Sequence, residues 1–266
     1  MNTTESPSDR PLISIVTVTM NSGSLLRETI ESVAVQKYRD FEYLVIDGAS
    51  SDDSLETLEH FSDVVDIVVS EKDEGVYHAM NKAVTMASGE YVYFLNAGDV
   101  LLHDKVLDLV AAQLKNNGPS IFVGSGIRCS KDTGKLIFLE YQGEQFNLDF
   151  FRKRTINHQC VFAHRQLFGL KKFDLSYQML ADFDWLIHHF VLKNVSVVYE
   201  NIGVVRYLNE GFSNSNYELY LNEKTKVLNR YSDSSLLAPN GRASTVDSAK
   251  KNLFARLKRA AKRLFN

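Results

Sequence analysis

The sequence predicts an α/β protein: a mainly parallel sheet with helices on both faces. Three observations predict it. Short apolar, β-branched runs alternate with helix-periodic segments through the N-terminal half. The runs have strand lengths and the intervening segments suit crossover helices. Three of the four strand ends are polar and acidic, and such sheets bind ligands outside the carboxyl ends of their strands.

The elements follow in order. LISIVTVT (12–19) is a buried strand, because a parallel strand covered on both faces is apolar throughout. GSLLRETIESVAVQ follows, with Leu26, Ile30 and Val33 at helical spacing. EYLVID (42–47) is the second strand and ends in Asp47. In the GASSDDS turn after it, Ser51 to Asp53 supply caps for the short helix SLETLEHF. VVDIVVS (64–70) is the third strand. Val76, Ala79, Met80, Ala83, Val84 and Ala87 then mark an amphipathic helix. Ser88-Gly89 ends that helix, and EYVYFL (90–95) is the fourth strand.

The second half is less regular. SIFVGS, KLIFL, HQCVFAH, SVVYE and IGVVRY read as strands, and LADFDWLIHHFVLK (180–193) as a helix. Residues 232–249 are rich in Ser, Ala, Asn and Asp and read as a linker, and residues 1–10 as a disordered start.

Composition excludes several classes. At 266 residues, 44% hydrophobic and 24% charged, the chain can bury a full core. A net charge of −3 argues against nucleic-acid binding. Cys129 and Cys160 have neither CxxC nor zinc spacing and read as free thiols of a reducing compartment. The N-terminus lacks the apolar stretch of a secretory signal, and no run reaches the ~18 apolar residues that span a bilayer. These features predict a cytoplasmic protein.

The tail, 250–266, is distinct. It carries seven Lys and Arg and no acid. At about 100° per residue, Leu253, Phe254, Leu257, Ala261, Leu264 and Phe265 share one arc, and all the bases but Lys250 lie on the other. That pattern suits a helix lying on an anionic membrane surface, with a solvated tail or a partner-binding helix as the alternatives.

The strand end FLNAGD (94–99) brings Asn96 and Asp99 to the ligand edge. A carboxylate there suits Mg²⁺ or Mn²⁺, which take oxygen ligands and would neutralise a diphosphate leaving group. The alternative is a Gly-Asp turn whose Asp caps the next helix. Asp47, Val18 and Thr19 end neighbouring strands. Glu71, Asp73 and Lys82 lie close by in SEKDEGVYHAMNKA, with Lys82 a candidate phosphate contact.

Together ISIVTVTMNS (13–22), EYLVIDGASSDDS (42–54), SEKDEGVYHAMNKAVTMASGEYVYFLNAGD (70–99) and LADFDWLI (180–187) resemble the inverting family 2 glycosyltransferases of the GT-A fold. The branch that builds bacterial capsule, colanic-acid and O-antigen chains is the nearest in pattern. The resemblance is dense over 11–104, the nucleotide-sugar-binding half, sparse to about residue 215 within the acceptor-side half, 105–231, and does not cover the tail. It implies a nucleotide pocket of Val18, Thr19, Asn21, Asp47, Asp73, Lys82, Asn96, Ala97 and Gly98. It implies a donor that is a nucleotide-sugar, UDP-linked, and an acceptor that is a glycan or lipid-linked glycan. Asp99 becomes the metal ligand for Mn²⁺ or Mg²⁺. Asp182 becomes the catalytic base, with a helix N-terminal role as its alternative and Asp184 two residues away. His158 is a phosphate or metal contact, or a structural histidine. Gly211-Phe212-Ser213 is similar to a late loop near the donor phosphates.

The chain departs from the pattern in two places. Relatives carry Asp where this chain has Asn96, and His78 stands in a YDAMNKG-like segment. Two rival functions follow: a non-catalytic subunit of the same fold that docks a partner at the membrane, and a sugar-phosphate nucleotidyltransferase. The second usually has a Gly-rich, basic loop after the first strand, where this chain has MNSGSLLRE.

Overall fold

The computed structural model describes residues 10–115, 120–130, 133–208 and 216–232. The expectations for residues 1–9, for Gly211-Phe212-Ser213, and for the linker and tail from 233 onward lie outside the described residues.

The first four strands fall where the sequence places them. They are β1 (Ile13–Thr19), β2 (Phe41–Asp47), β3 (Ile67–Ser70) and β4 (Tyr91–Phe94). Between them run α1 (Gly23–Ala34), α2 (Ser54–His60) and α3 (Val76–Met86). All their pairings are parallel, in the order β3-β2-β1-β4. Right-handed crossovers put α1 and α2 on one face and α3 on the other. In agreement, α1 packs on α2, and α3 packs on β1 and β2. The winding reverses between β1 and β4, which opens a crevice at their carboxyl ends.

Register aligns the strand ends. Thr19 lies opposite Asp47, and Asp47 opposite Ser70. Leu95 N bonds Val16 O at 2.9 Å and Ala97 N bonds Val18 O at 3.3 Å, which carries the β4 backbone alongside β1 past its last strand residue. At the opposite edge Glu42 Oε1 accepts from Ser88 N (2.6 Å) and Gly89 N (3.1 Å), fixing the turn from α3 into β4. A Cβ on Gly89 would stand 2.5 Å from Ser14 Oγ and 2.7 Å from Ser14 N, so backbone meets backbone there. Gly89→Ala is expected to cost about 2 kcal/mol through overpacking, read as a lower urea midpoint with an unchanged slope.

The second half adds β5 (Val100–Leu101), α4 (Val106–Leu114), β6 (Ser120–Cys129), β7 (Leu136–Leu139), α5 (Leu148–Lys153), β8 (Val161–His164), α6 (Gln166–Leu170), α7 (Ala181–Ile187), β9 (Ser196–Leu208) and α8 (Tyr217–Arg230). The sheet continues β4-β8-β6-β9-β5, with β7 beside β6. Here β6 and β9 run parallel, whereas β8 is antiparallel to both β4 and β6.

Four details differ from the sequence reading. SVVYE and IGVVRY form one strand, β9. Val64 and Val65 belong to the turn after α2, whose backbone bonds Phe61 O. The helix expected over 180–193 passes at His188–Leu192 into a π-helical turn. His158–Cys160 is a 3₁₀ turn rather than the start of a strand.

Candidate active site

The loops after β1 and β2 are knitted by side chains. Asn21 sits at φ 50°, a left-handed conformation that Asn tolerates. Its Oδ1 accepts from Ser51 N at 2.8 Å, and its own N–H donates to Ser50 Oγ at 2.8 Å. Asp47 is fully buried. Its carboxylate accepts from Ser50 N (3.0 Å), Ser50 Oγ and Ser70 Oγ (2.6 Å). Asp47 thus orders both neighbouring loops. The caps come from Asp52, whose carboxylate accepts from Gly23 N (3.0 Å) and Ser54 N (3.1 Å). The Ser54 hydroxyl and the Gly23 N–H hold its carboxyl below the usual range.

Lys82 lies on α3 between Asp73 Oδ1 (2.8 Å) and Glu71 Oε1 (2.7 Å). Burial pulls its ammonium down, but the two carboxylates outweigh it and raise it. His78 Nδ1 meets the same Asp73 oxygen at 2.9 Å. Asp73 Oδ2 is buried without a hydrogen-bond partner, as are Thr19 Oγ1 and Asn96 Oδ1. Leaving such atoms unsatisfied costs about 1–3 kcal/mol each, a cost that a bound ligand with matching donors or acceptors would offset.

The segment after β4 turns sharply. Gly98 holds φ +95°, which favours glycine, and its N–H donates to Thr29 Oγ1 at 2.9 Å. Val18 and Asp99 are buried, and Ala97 is half-buried. Burial pushes the Asp99 carboxyl up to about 7, against the opposing pull of His158, Gln159 and Arg206. Arg206 comes from β9, where it pairs with Val100.

Asp182 opens α7 and meets the same crevice. Its Oδ2 accepts from His158 Nδ1 at 2.8 Å. Its Oδ1 accepts from Phe183 N at 2.8 Å and faces the Tyr77 hydroxyl at 2.8 Å. Burial pushes Asp182 up, but His158, Tyr77 and the Phe183 N–H outweigh it and hold the carboxyl below the usual range. Asp182 is therefore ionised at neutral pH. His158 is drawn down by burial and, more strongly, up by Asp182 and Asp99, so its imidazole lies above its ordinary value. Its Nε2 lies 3.1 Å from the Asn96 side-chain amide. Both ring nitrogens thus have partners within the protein.

Asp184 separates cleanly from Asp182. It is fully buried and paired with Lys171 Nζ (2.8 Å) and Arg230 Nη1 (3.1 Å), and Tyr231 OH donates to it at 3.0 Å. It ties α7 to α8. Glu223, also on α8, accepts from the backbone N–H groups of Gln178 (2.7 Å), Met179 (3.0 Å) and Leu180 (3.0 Å), just ahead of α7.

The structure therefore brings together Asn96, His158 and Asp182, with Asp99 beside His158, while Thr19 and Asp47 end the neighbouring strands. The Asp73–Lys82 pair lies on the segment that follows β3. Sequence reasoning missed Tyr77, Gln159, Arg206 and Glu223. Tyr77 and Gln159 stand beside residues it singled out. Arg206 and Glu223 carried no local signal, because only the sheet order and the packing of α8 bring them in. Among the described residues no three His, Cys, Asp or Glu side chains group to hold a metal ion.

Comparison with known proteins adds to this geometry. The profile described as Glycosyl transferase family 2 matches residues 14–176. The PGL/p-HBAD biosynthesis glycosyltransferase of Mycobacterium bovis is 34% identical over 212 residues, 77% of this chain and 80% of that protein. The fold is that of S. aureus TarS 1-349 in complex with UDP-GlcNAc, at TM-score 0.64 and 17% identity, covering 82% of this chain and 71% of that one. The mannosyltransferase PcManGT from Pyrobaculum calidifontis, in complex with GDP-Man and Mn²⁺, superposes at TM-score 0.59 and 17% identity, covering 90% and 67%.

Proposed function

The chain belongs to glycosyl transferase family 2, and from that membership we propose that it transfers a sugar, with inversion, from a UDP-sugar to a lipid-linked or polysaccharide acceptor in surface glycan synthesis. One observation carries the reading. At Asn96 a strand edge bearing unpartnered polar atoms meets the ionised carboxylate of Asp182 through His158. UDP-GlcNAc in the similar TarS structure supports the donor class.

In this reading Val18, Thr19, Asn21 and Asp47 form the nucleotide wall. Asp73, Lys82, Asn96, Ala97 and Gly98 line the ribose and phosphate side. Asp182 takes the proton of the acceptor hydroxyl as that oxygen bonds to the anomeric carbon. The bond from that carbon to the donor diphosphate breaks with its electron pair leaving on UDP. A single displacement inverts the centre.

A divalent ion fits Asp99 in one way only. Asp99 is a buried carboxylate raised to about 7 by burial, the kind of group a cation would neutralise. With no three-residue cluster among the described residues, Mn²⁺ or Mg²⁺ would take its other ligands from the diphosphate and water, a common mode for Mg²⁺. When bound, it would supply charge neutralisation for the leaving group. EDTA is expected to suppress nucleotide release from a UDP-sugar, and Mn²⁺ or Mg²⁺ to restore it. Turnover that resists EDTA would remove Asp99 from the metal role.

No helix among the described residues is long and apolar enough to cross a membrane. The basic, amphipathic 250–266 segment supports peripheral attachment at the inner membrane face, where a lipid-linked acceptor would present itself. A thermal-shift screen of nucleotide-sugars with and without Mn²⁺ tests donor class and metal need together. No stabilisation by any of them would overturn the reading.

A further inference from the structure

The hydrogen bonds around Asp182 form one chain across the crevice. The Asn96 side-chain amide meets His158 Nε2 at 3.1 Å, and His158 Nδ1 donates to Asp182 Oδ2 at 2.8 Å. On the other carboxylate oxygen sit Phe183 N and Tyr77 OH, each at 2.8 Å. The ends of the chain belong to different halves of the fold. Asn96 lies two residues past β4 in the parallel half, and Asp182 lies in the first turn of α7 in the mixed half.

His158 stands between them on a 3₁₀ turn, itself held by Tyr93 OH donating to Gln159 O at 3.0 Å. The side chains of His158 and Asp182 are 21% and 17% exposed, so both border the crevice rather than the sealed core. An Asp in the first turn of a helix rotates about two side-chain bonds unless donors fix both oxygens. A carboxylate oxygen that accepts one hydrogen bond keeps a second lone pair. Oδ2 can therefore be held by His158 and still accept a proton from a substrate hydroxyl. His158 has no such freedom, because both its nitrogens are taken. Both contacts tie it to the residues around Asp182.

We infer that His158 is a positioning residue, tying the donor-side strand end at Asn96 to Asp182 and aiming the Asp182 carboxylate at the acceptor hydroxyl. This rests on the transferase reading and adds a role to it. Asn96 gains a reason as well: its side-chain amide lies 3.1 Å from His158 Nε2 and completes the strap to His158.

The test compares His158→Ala, His158→Asn and His158→Gln with Asp182→Asn in the full chain, following UDP release from UDP-sugars in the presence of membranes from the source cells. Misplacing a catalytic group by about 1 Å costs roughly a hundredfold. His158→Ala is expected to lose about that in kcat while its KM for the donor stays near the wild-type value. The amide nitrogen of Asn overlays the imidazole Nδ1, so His158→Asn is expected to recover about tenfold of that loss, and His158→Gln to recover none. Equal losses in the Asn and Gln variants would overturn the positioning role, and that comparison stands even where the Ala variant does not fold. Full turnover by His158→Ala beside an inactive Asp182→Asn would also overturn it. Full turnover by Asp182→Asn would instead overturn the transferase reading of Asp182, whatever the His158 variants do.

Discussion

Asp182→Asn is expected to lower turnover about a thousandfold, the middle of the range for removing a general base, and to leave nucleotide affinity nearly unchanged. The physical basis is the separation of roles across the crevice. Asp182 makes its hydrogen bonds to His158, Tyr77 and Phe183 N. The strand-end residues Thr19 and Asp47 belong to β1 and β2. The amide has the shape of the carboxylate but no lone pair basic enough to take the hydroxyl proton. Calorimetric titration with UDP checks binding, and UDP release from the UDP-sugar checks turnover. Asp184→Asn is the informative contrast. Asp184 meets Lys171, Arg230 and Tyr231 and makes none of the bonds to His158. Its loss should appear as a lower melting temperature. If Asp184→Asn destroyed turnover in a protein that melted normally, and Asp182→Asn did not, the assignment would be reversed.

Glu223→Ala carries the largest expected effect on stability. Three consecutive backbone N–H groups end on its carboxylate, and Glu223 and two of those three residues are buried. Removing the carboxylate strands these donors away from water. The expected cost is about 3 kcal/mol, a fall in Tm of roughly 6–12 °C for a chain of this size. Glu223→Gln retains one accepting oxygen and should lose about half as much. The bonded segment runs directly into Asp182, so both variants should also lower kcat at temperatures where they remain folded. A Glu223→Ala protein with wild-type Tm would show that α8 does not hold this loop.

The parallel half was legible because its information is local. Each buried strand is an unbroken apolar run, and each helix shows its period on its own residues. Leu26, Ile30 and Val33 are all fully buried in α1, as their spacing predicts. The handedness of crossovers then converts that list into a sheet order. Strand boundaries were less legible where burial is partial. β3 begins at Ile67 and is only half-buried, so the apolar Val64 and Val65 before it were read as strand.

The mixed half was harder to read because its elements take their form from partners distant in sequence. SVVYE and IGVVRY join into one strand because β6 lies beside them for most of their length. His158 reads as the start of a strand by composition, yet the 3₁₀ turn places its ring against Asp182 and Asn96.

The sequence by itself determined the alternating strands and helices of the first half and the set of polar strand ends. It also singled out Asp99, His158 and Asp182 as residues with chemical potential. The strands, helices and polar strand ends rest on periodicity and on residue type at chain positions, whereas His158 and Asp182 rest on the resemblance to family 2 glycosyltransferases. Only the tertiary structure told the surroundings of Asp182 and Asp184 apart, because two residues on one helix turn differ in what meets them. One faces an imidazole, the other a lysine and an arginine. Only the tertiary structure showed what meets the His158 ring as well. A histidine can bind a metal, a phosphate or a carboxylate, and which it does depends on what meets its two nitrogens.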